Sequence, residues 1–206
     1  MITVNHIQAW ISNHCTRIRD NAHRLNLLDA DGDCGASMQR GLDAVEIALE
    51  QSSYDSIGEL LTITGSQLMS AMGGTSGPIL GAFFLTTGQH IGERSSCDLL
   101  TFASSLQAGV DRVKEIGSVD LGMKTMIDAF VPAVNALTIA ANNQLDTKAA
   151  CHEAAQAANI GAEFTRYIPA CVGRMSTTGE QGIGKLDPGA LGIAILFGSL
   201  ELVNFD

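Results

Sequence analysis

Residues 4–25 read VNHIQAWISNHCTRIRDNAHRL, and this stretch shows a pattern that most of the chain repeats. Its apolar residues recur every three or four positions, which places them on one face of an α-helix. They are Val4, Ile7, Trp10, Ile11, Ile18, Ala22 and Leu25. The spacing predicts a first helix that buries this face against the rest of the protein.

The same spacing predicts seven more helices, with short connections between them. They cover about 37–50, about 55–72, a segment opening at 76–78, a segment beginning at Ser96 or Asp98, about 124–142 with a kink at Pro132, a segment beginning at Thr147, and a last helix from Asp187 to the C-terminus. No alternating run of β-branched residues bounded by turns predicts a strand. We therefore expect an all-α fold of eight antiparallel helices, in a single domain that spans residues 1–206.

Charge and cysteine content limit the classes of partner and compartment. The 206 residues include 12 basic and 22 acidic side chains, for a formal net charge of −10. This charge repels nucleic acid and anionic membranes, so neither is a predicted partner, and a bound phosphate compound would need a bridging cation. The five cysteines form no C-x-x-C pair and the N-terminus lacks a signal-peptide pattern, which favours the cytoplasm.

Residues 60–89 contain no charged side chain, yet they do not resemble a membrane span. They are rich in Ser, Thr and Gly and are interrupted by Gly73, Gly74 and Pro78. Because a span needs about 20 mostly apolar residues in a row, two buried helices are the better interpretation.

Four glycine-rich segments fall between the predicted helices. They are DADGDCGAS at 29–37, GGTSGP at 73–78, GSVDLGMKTMID at 117–128 and VGRMSTTGEQGIGKLDPG at 172–189. In an up-and-down helical array, alternate connections lie at the same end. These segments follow helices one, three, five and seven, so the sequence predicts that they meet at one end of the array.

The first of these segments has the composition of a magnesium site. Asp31 and Asp33 flank Gly32, so both carboxylates can face one point. Mg²⁺ is usually held by one or two carboxylates together with the oxygens of a bound phosphate. The alternative is that the loop is an ordinary solvated turn.

Helix starts near this loop are suited to phosphate. Backbone N–H groups at 35–37, and at Thr75 and Ser76, open two helices and can receive an anion. Arg174 adds a fixed positive charge. The alternatives are a plain helix–helix connection for 73–78, a surface salt bridge for Arg174 and a small buried thiol for Cys34. Taken together, the segments indicate a Mg–nucleotide site.

Other common kinds of site lack their sequence patterns here. The histidines show neither H-x-x-x-H nor a Cys/His ligand spacing, which argues against a transition-metal site. The G-x-S-x-G elbow and the Walker lysine loop do not occur.

The motifs together resemble the nucleotide-binding L subunit of dihydroxyacetone kinases. They are DGDCGASM, GGTSGP, GMKTMID, GAEFT, GRMS and DPGA, in that family's order and at its spacing over nearly the whole chain. The resemblance implies a barrel of eight antiparallel helices with a Mg–ADP complex at one end.

The resemblance also implies roles for individual residues. The metal ligands would be Asn26, Asp31 and Asp33, holding two Mg²⁺ ions. Gly117 and Met126 would face the adenine, and Arg174 would contact the phosphates and act in catalysis. The full set of nucleotide contacts would be Cys34, Gly35, Ala36, Ser37, Thr75, Ser76, Gly117, Met126, Arg174, Asp187, Pro188 and Gly189.

In the phosphotransferase-linked version of this family, a phosphohistidine carrier subunit (M) phosphorylates ADP on the L subunit. The L subunit passes the phosphoryl group to dihydroxyacetone held on a K subunit. The resemblance therefore implies a phosphotransferase of the phosphoenolpyruvate-dependent type. Two alternatives remain: a subunit that uses free ATP or serves a related ketose or triol sugar, and a degenerate module that binds nucleotide to regulate a partner such as a transcription regulator.

Several residues depart from the family pattern. Asn26 replaces the first metal-binding aspartate, and Met123 replaces the acid of the usual G-D-K-T. Asp29 has no counterpart in that pattern. If Asp29 joins the metal site, Asn26→Asp should change little and Asp29→Ala should weaken Mg–ADP binding. If Asp29 is only a solvated turn residue, Asn26→Asp should tighten Mg–ADP binding and Asp29→Ala should be silent, and this second outcome is the one we expect.

Overall fold

The computed structural model describes residues 1–178 and 180–205. Gly179 and Asp206 lie outside them, so the predicted reach of the last helix to the C-terminus is not described at Asp206. Eight α-helices are present in the described part of the chain. They are α1 (Val4–Leu28), α2 (Cys34–Gln51), α3 (Ile57–Ala71), α4 (Ser76–Ile91), α5 (Leu99–Gly117), α6 (Ile127–Asn142), α7 (Thr147–Phe164) and α8 (Pro188–Leu200). The prediction of an all-α fold with eight antiparallel helices is confirmed.

Three predicted helix ends were wrong. The second helix begins at Cys34 instead of 37, because Asp29 accepts the N–H groups of Asp33 and Cys34 and so supports an earlier start. The sixth begins at Ile127 instead of 124, because Gly122 and Lys124 have positive φ angles. The last α-helix ends at Leu200, and turns follow it. Pro132 lies inside α6, and the kink there stays a prediction.

The expectation of no strand was also wrong, by one short pair. β1 (Ile2–Thr3) pairs antiparallel with β2 (Ser96–Cys97), with Ile2 opposite Cys97. Strands of two residues are too short to show an alternating pattern in sequence. The pair fixes the start of α1 beside the start of α5. The described part of the chain also contains two short 3₁₀ helices, Thr165–Tyr167 and Arg174–Thr177.

Each helix packs against the next one along the chain, and α8 packs against α1. The contact between α6 and α7 is especially close: a Cβ placed on Gly161 would lie 2.0 Å from the carbonyl oxygen of Asp128. The lack of a side chain at Gly161 therefore allows the close approach of α6 to α7. The barrel and the single domain stay predictions, because neighbour order alone does not fix the overall shape.

The core is built from the apolar faces of these helices and contains a group of aromatic rings. Phe83 and Phe130 have ring centroids 4.4 Å apart, and Trp10 lies 5.8 Å from Phe102. The indole N–H of Trp10 donates to the carbonyl oxygen of Leu196 at 2.8 Å, so α1 and α8 are joined inside the core. Among residues 1–178 and 180–205, we find no helix with both the length and the apolar character that a membrane crossing requires.

Candidate functional site

A pocket of about 670 Å³ opens at the end where the α1–α2, α3–α4, α5–α6 and α7–α8 connections meet. All four glycine-rich segments contribute residues to its wall, so the predicted convergence is confirmed. The predicted site residues that line it are Asp33, Cys34, Ser37, Thr75, Ser76, Gly117, Met126, Arg174, Asp187, Pro188 and Gly189.

Four predicted site residues do not line this pocket: Asn26, Asp31, Gly35 and Ala36. Gly35 is buried against α1, where an added Cβ would lie 2.0 Å from the carbonyl oxygen of Ala22. The Ala36 N–H donates to the side-chain oxygen of Asn26 at 3.1 Å. Gly35 and Ala36 therefore hold α2 against α1 in this structure.

The acidic loop surrounds one guanidinium group. Nη1 of Arg174 forms an ion pair with Asp31, lies 3.2 Å from Asp33 Oδ1 and lies 3.9 Å from Asp29 Oδ2. The charges of these aspartates, Asp31 first, raise the pKa of Arg174 above its ordinary value. Arg174 thus forms the salt bridge that the sequence analysis gave as the alternative to a phosphate contact. This pairing joins the first and last glycine-rich segments.

Asp29 and Asn26 support the start of α2. Oδ2 of Asp29 accepts the N–H groups of Asp33 at 3.3 Å and Cys34 at 3.2 Å. The side chain of Asp29 is only 13% exposed. The interpretation of Asp29 as a solvated turn residue was therefore wrong, because its carboxylate satisfies two backbone donors.

The carboxylates of the loop fit a divalent cation by their chemistry. Asp31 and Asp33 both approach the same positive group, so a cation can lie between them, and hard oxygen ligands suit Mg²⁺. Across the described part of the chain, no group of three or more His, Cys, Asp and Glu side chains is assembled for a metal ion. Asn26, the third predicted ligand, is turned to Ala36 in this structure.

The starts of α2 and α4 lie side by side at the pocket. The Ser37 hydroxyl donates to the carbonyl oxygen of Gly73 at 3.2 Å, and the Ser76 hydroxyl donates to the same oxygen at 3.4 Å. At α2 the N–H groups of Cys34 and Ala36 are already bonded to the side chains of Asp29 and Asn26. At α4, Thr75 makes no side-chain cap, which leaves the start of this helix as the better anion site.

Asp187 lies at the predicted start of α8 and caps this helix. Its Oδ2 accepts the N–H of Ala190 at 2.8 Å, and its own N–H donates to the Thr165 hydroxyl at 2.9 Å. Desolvation by the surrounding protein raises the pKa of Asp187 to about 7, against hydrogen bonds and the charge of Lys124, which lower it. This carboxylate is therefore poised to change charge near neutral pH.

The Cys34 thiol lines the pocket without the character of a nucleophile. Burial, followed by the charges of Asp29, Asp187 and Asp33, raises the pKa of Cys34 to about 12. Because the thiolate is the reactive form, this thiol is inert at neutral pH.

Sequence reasoning missed two residues that shape the pocket. Lys124 lines it and is only 2% exposed, although its motif GMKT gave no sign of a buried ammonium group. Asp128 is also buried, and its carboxylate accepts the N–H groups of Gly122 at 2.6 Å and Thr125 at 2.8 Å. The acid at the end of GMKTMID was the available signal for the second residue.

Comparison with known proteins agrees with this geometry. Residues 30–201 match the model of the DAK2 domain family. The chain is 35% identical over 172 residues to the ADP-binding subunit DhaL of the PEP-dependent dihydroxyacetone kinase of Escherichia coli, covering 84% of this chain and 82% of that subunit. It is 31% identical over 204 residues to the ADP-binding subunit DhaL of the PTS-dependent dihydroxyacetone kinase of Lactococcus lactis, covering 97% of each.

A solved structure extends the similarity to the fold. The crystal structure of the dihydroxyacetone kinase from C. freundii in complex with AMP-PNP and Mg²⁺ matches with a TM-score of 0.74 and 27% identity. The match covers 93% of this chain and 32% of that longer kinase. The chain therefore belongs to the DAK2 domain family, together with the DhaL subunits that it resembles over most of its length.

Proposed function

We propose that this chain is the ADP-binding subunit of a phosphoenolpyruvate-dependent dihydroxyacetone kinase. The observation that carries the proposal is the meeting of all four glycine-rich connections around one pocket of about 670 Å³. The relatives with the same pattern over most of their length are named as ADP-binding subunits of such kinases. We further propose a cytoplasmic location, which its five unpaired cysteines support.

The nucleotide would lie between two groups of lining residues. Gly117 and Met126 would contact the base, while Thr75, Ser76 and Arg174 would contact the phosphates. The start of α4 carries the partial positive charge of a helix N-terminus and has no side-chain cap, which suits a diphosphate.

Asp31 and Asp33 would hold the magnesium, two ions in our proposal, with Asn26 as an additional oxygen ligand. When bound, Mg²⁺ neutralises charge on the phosphates and aligns the group to be transferred. Asn26 reaches this role only if its side-chain oxygen leaves the Ala36 N–H. Asn26 differs in this respect from Asp31 and Asp33, whose side chains already contact the Arg174 guanidinium.

Arg174 would act as the catalytic residue by stabilising charge on the phosphoryl group during transfer. Its side chain is 48% exposed and ion-paired at the pocket wall, so the guanidinium can exchange a carboxylate for a phosphate. Phosphoryl transfer depends on positioning and charge neutralisation more than on covalent help from the protein. The inert Cys34 thiol agrees with a mechanism that needs no nucleophile here.

The direct test is isothermal titration of the purified chain with ADP, with and without Mg²⁺. We expect binding that requires Mg²⁺. Absence of ADP binding under both conditions would refute the proposal.

The second test is a reconstituted assay, because the proposed sugar site lies on a separate K subunit. The chain alone should give little phosphorylation of dihydroxyacetone, and turnover should appear when a K subunit and a phosphohistidine carrier are added. Sustained turnover by the isolated chain with free ATP would instead identify a self-sufficient kinase. Mass spectrometry of nucleotide retained through turnover distinguishes a relay on bound ADP from exchange with free ATP.

A further inference from the structure

Lys124 is a buried cation in the α5–α6 connection, and the proposed function gives it no role. Its side chain is 2% exposed, yet it contributes to the pocket wall. Its backbone has a φ of 60°, in the left-handed region that residues with a Cβ rarely adopt. A residue held there persists only where surrounding contacts determine its conformation. The contacts of its ammonium group identify those constraints.

The ammonium group binds two backbone carbonyl groups from another part of the chain. Nζ donates to the carbonyl oxygen of Thr165 and to that of Lys185, the latter at 2.6 Å. Thr165 directly follows α7, and its hydroxyl accepts the N–H of Asp187. Lys124 is therefore bonded to both ends of the segment that leads from α7 into α8.

The segment also packs on the aliphatic part of Lys124. Gly182 has a φ of 70°, and a Cβ placed on it would lie 3.0 Å from Cε of Lys124 and 2.1 Å from the sulfur of Met175. The lysine stem is thus covered by the chain that follows the 3₁₀ helix Arg174–Thr177. Burial lowers the pKa of Lys124, while the charge of Asp187 raises it.

The other end of this link is the wall that precedes α6. Thr125 and Met126 follow Lys124 directly and line the pocket. The Asp128 carboxylate fixes this connection by accepting the N–H groups of Gly122 and Thr125. Lys124 consequently joins the loop on the base side of the proposed site to the segment that carries Asp187.

We propose that Lys124 is a positioning residue of the nucleotide pocket, which sets the separation between the wall at Met126 and the wall at Asp187 by binding the carbonyl groups of Thr165 and Lys185. This inference rests on the proposed nucleotide function. Removal of the ammonium group should let the two walls move apart. A ligand that spans both walls should then lose affinity, and a ligand that contacts one wall should not.

The variant that tests this is Lys124→Met, which has similar length and no donor. The matched control is Lys148→Met, at an exposed position in the first turn of α7. The first measurement is hydrogen exchange in the ligand-free proteins. Lys124→Met should increase exchange at 122–126 and at 184–187 together, and Lys148→Met should change neither segment.

The second measurement compares two ligands in each protein. In Lys124→Met, the affinity for ADP with Mg²⁺ should fall at least ten-fold, while the affinity for adenosine, followed by saturation-transfer NMR, should stay within two-fold of wild type. A general loss of structure would weaken both ligands alike. Should methionine prevent folding, Lys124→Gln removes the charge and retains an amide NH₂ group as a donor, and the same changes are expected at smaller size.

Unchanged exchange in either segment would overturn the proposal, as would unchanged ADP affinity or an equal loss for adenosine. Failure of the proposed function itself gives a different result. In that case wild type would not bind ADP, while the exchange measurement in ligand-free protein would still decide whether Lys124 joins the two walls.

Discussion

Nη1 of Arg174 lies 3.2 Å from Oδ1 of Asp33, although the two residues are 141 positions apart in the chain. The same nitrogen pairs with Asp31, so one guanidinium partly neutralises the carboxylates of the loop. This contact joins the first glycine-rich connection to the last at the wall of the pocket. Arg174, the proposed phosphate ligand, is therefore paired with Asp31 and Asp33, the proposed metal ligands, and Mg–ADP would have to replace this pairing.

Replacement of Arg174 should impair transfer without impairing the fold. Its side chain is 48% exposed, and exposed ion pairs contribute about 0–1 kcal/mol to stability. Loss of a group that stabilises transition-state charge costs about 10²–10³-fold in rate. Arg174→Gln should show that loss of turnover in the reconstituted assay and an almost unchanged urea midpoint. Arg112→Gln, which removes an exposed pair with Glu115, is the control. Near-normal turnover of Arg174→Gln would exclude it from catalysis.

The two aspartates of the loop should be needed for magnesium and not for folding. Asp31→Ala and Asp33→Ala each remove one of the carboxylates that meet a cation. We expect both variants to lose Mg²⁺-dependent ADP retention while their circular dichroism stays helical. Asp20→Ala, an exposed acid in α1, is the control. Calorimetry with Mg²⁺ that gives wild-type ADP affinity in either variant would contradict the metal assignment.

The structure changes the expected result at Asp29. Its carboxylate accepts two N–H groups at the start of α2, so Asp29→Ala leaves them unpaired. Loss of a helix cap costs roughly 0.5–2 kcal/mol, and the loop that carries Asp31 and Asp33 should loosen. We expect reduced thermal stability and weaker Mg–ADP binding. A silent Asp29→Ala variant would restore the solvated-turn interpretation.

Asn26→Asp tests whether position 26 lies close enough to join the metal site. A carboxylate oxygen can still accept the Ala36 N–H, so the start of α2 should be preserved. The added negative charge should lower the Mg²⁺ concentration needed for ADP binding, because unit charges about 4 Å apart interact by a few kcal/mol at intermediate dielectric. Titration of ADP affinity against Mg²⁺ decides this. No shift would mean that position 26 only supports the helix.

The sequence predicted the helices and the end at which their connections meet, but it did not predict all of the contacts. The reason is the separation along the chain between the residues that interact. The apolar face of α1 is a local, periodic signal, and the Asp187–Pro188 start of α8 is a local cap. By contrast, the ammonium group of Lys124 reaches carbonyl groups 41 and 61 residues away. Every residue has a backbone carbonyl group, so the residue types at 165 and 185 do not indicate that their carbonyl groups bind Lys124.

The start of α2 shows the same limit at shorter range. Asp29 lies five residues before Cys34, outside the spacing of a normal helix cap, so sequence reasoning treated it as a turn residue. Gly35 illustrates an ambiguous signal. A glycine beside a predicted phosphate site suggested a ligand contact, whereas its lack of a Cβ serves the close approach to Ala22.

The pH dependence of stability should reveal the raised pKa of Asp187. The unfolded chain loses this proton near pH 3.8 and the folded protein near pH 7, so stability falls as pH rises between these values and is level above them. Asp187→Asn stays neutral and can still cap α8. Its stability relative to wild type should therefore rise from pH 4.5 to pH 8 by a few kcal/mol, since one pKa unit is about 1.4 kcal/mol.

Urea denaturation at the two pH values measures this difference, and Asp98→Asn is the matched control. Asp98 caps α5 by accepting the N–H of Thr101, and those bonds lower its pKa. Its contribution is therefore fully present above its unfolded pKa of 3.8 and is lost only at lower pH, so the stability difference between Asp98→Asn and wild type should be the same at pH 4.5 and pH 8. If the stability difference between Asp187→Asn and wild type did not depend on pH, the raised pKa of Asp187 would be contradicted.

The bond from Trp10 to Leu196 spans 186 positions, and Arg17 adds a second one to the carbonyl oxygen of Gly198 at 2.5 Å. A ribosome that adds about 5–20 residues per second completes α8 on the order of ten seconds after α1. During that interval the apolar face of α1 lacks one of the helices that pack against it. Trp10 is the sole tryptophan, so its fluorescence records the moment when the last-made helix docks on the first. Until α8 is made, part of the apolar face of α1 stays uncovered, and exposed apolar surface of this kind favours aggregation.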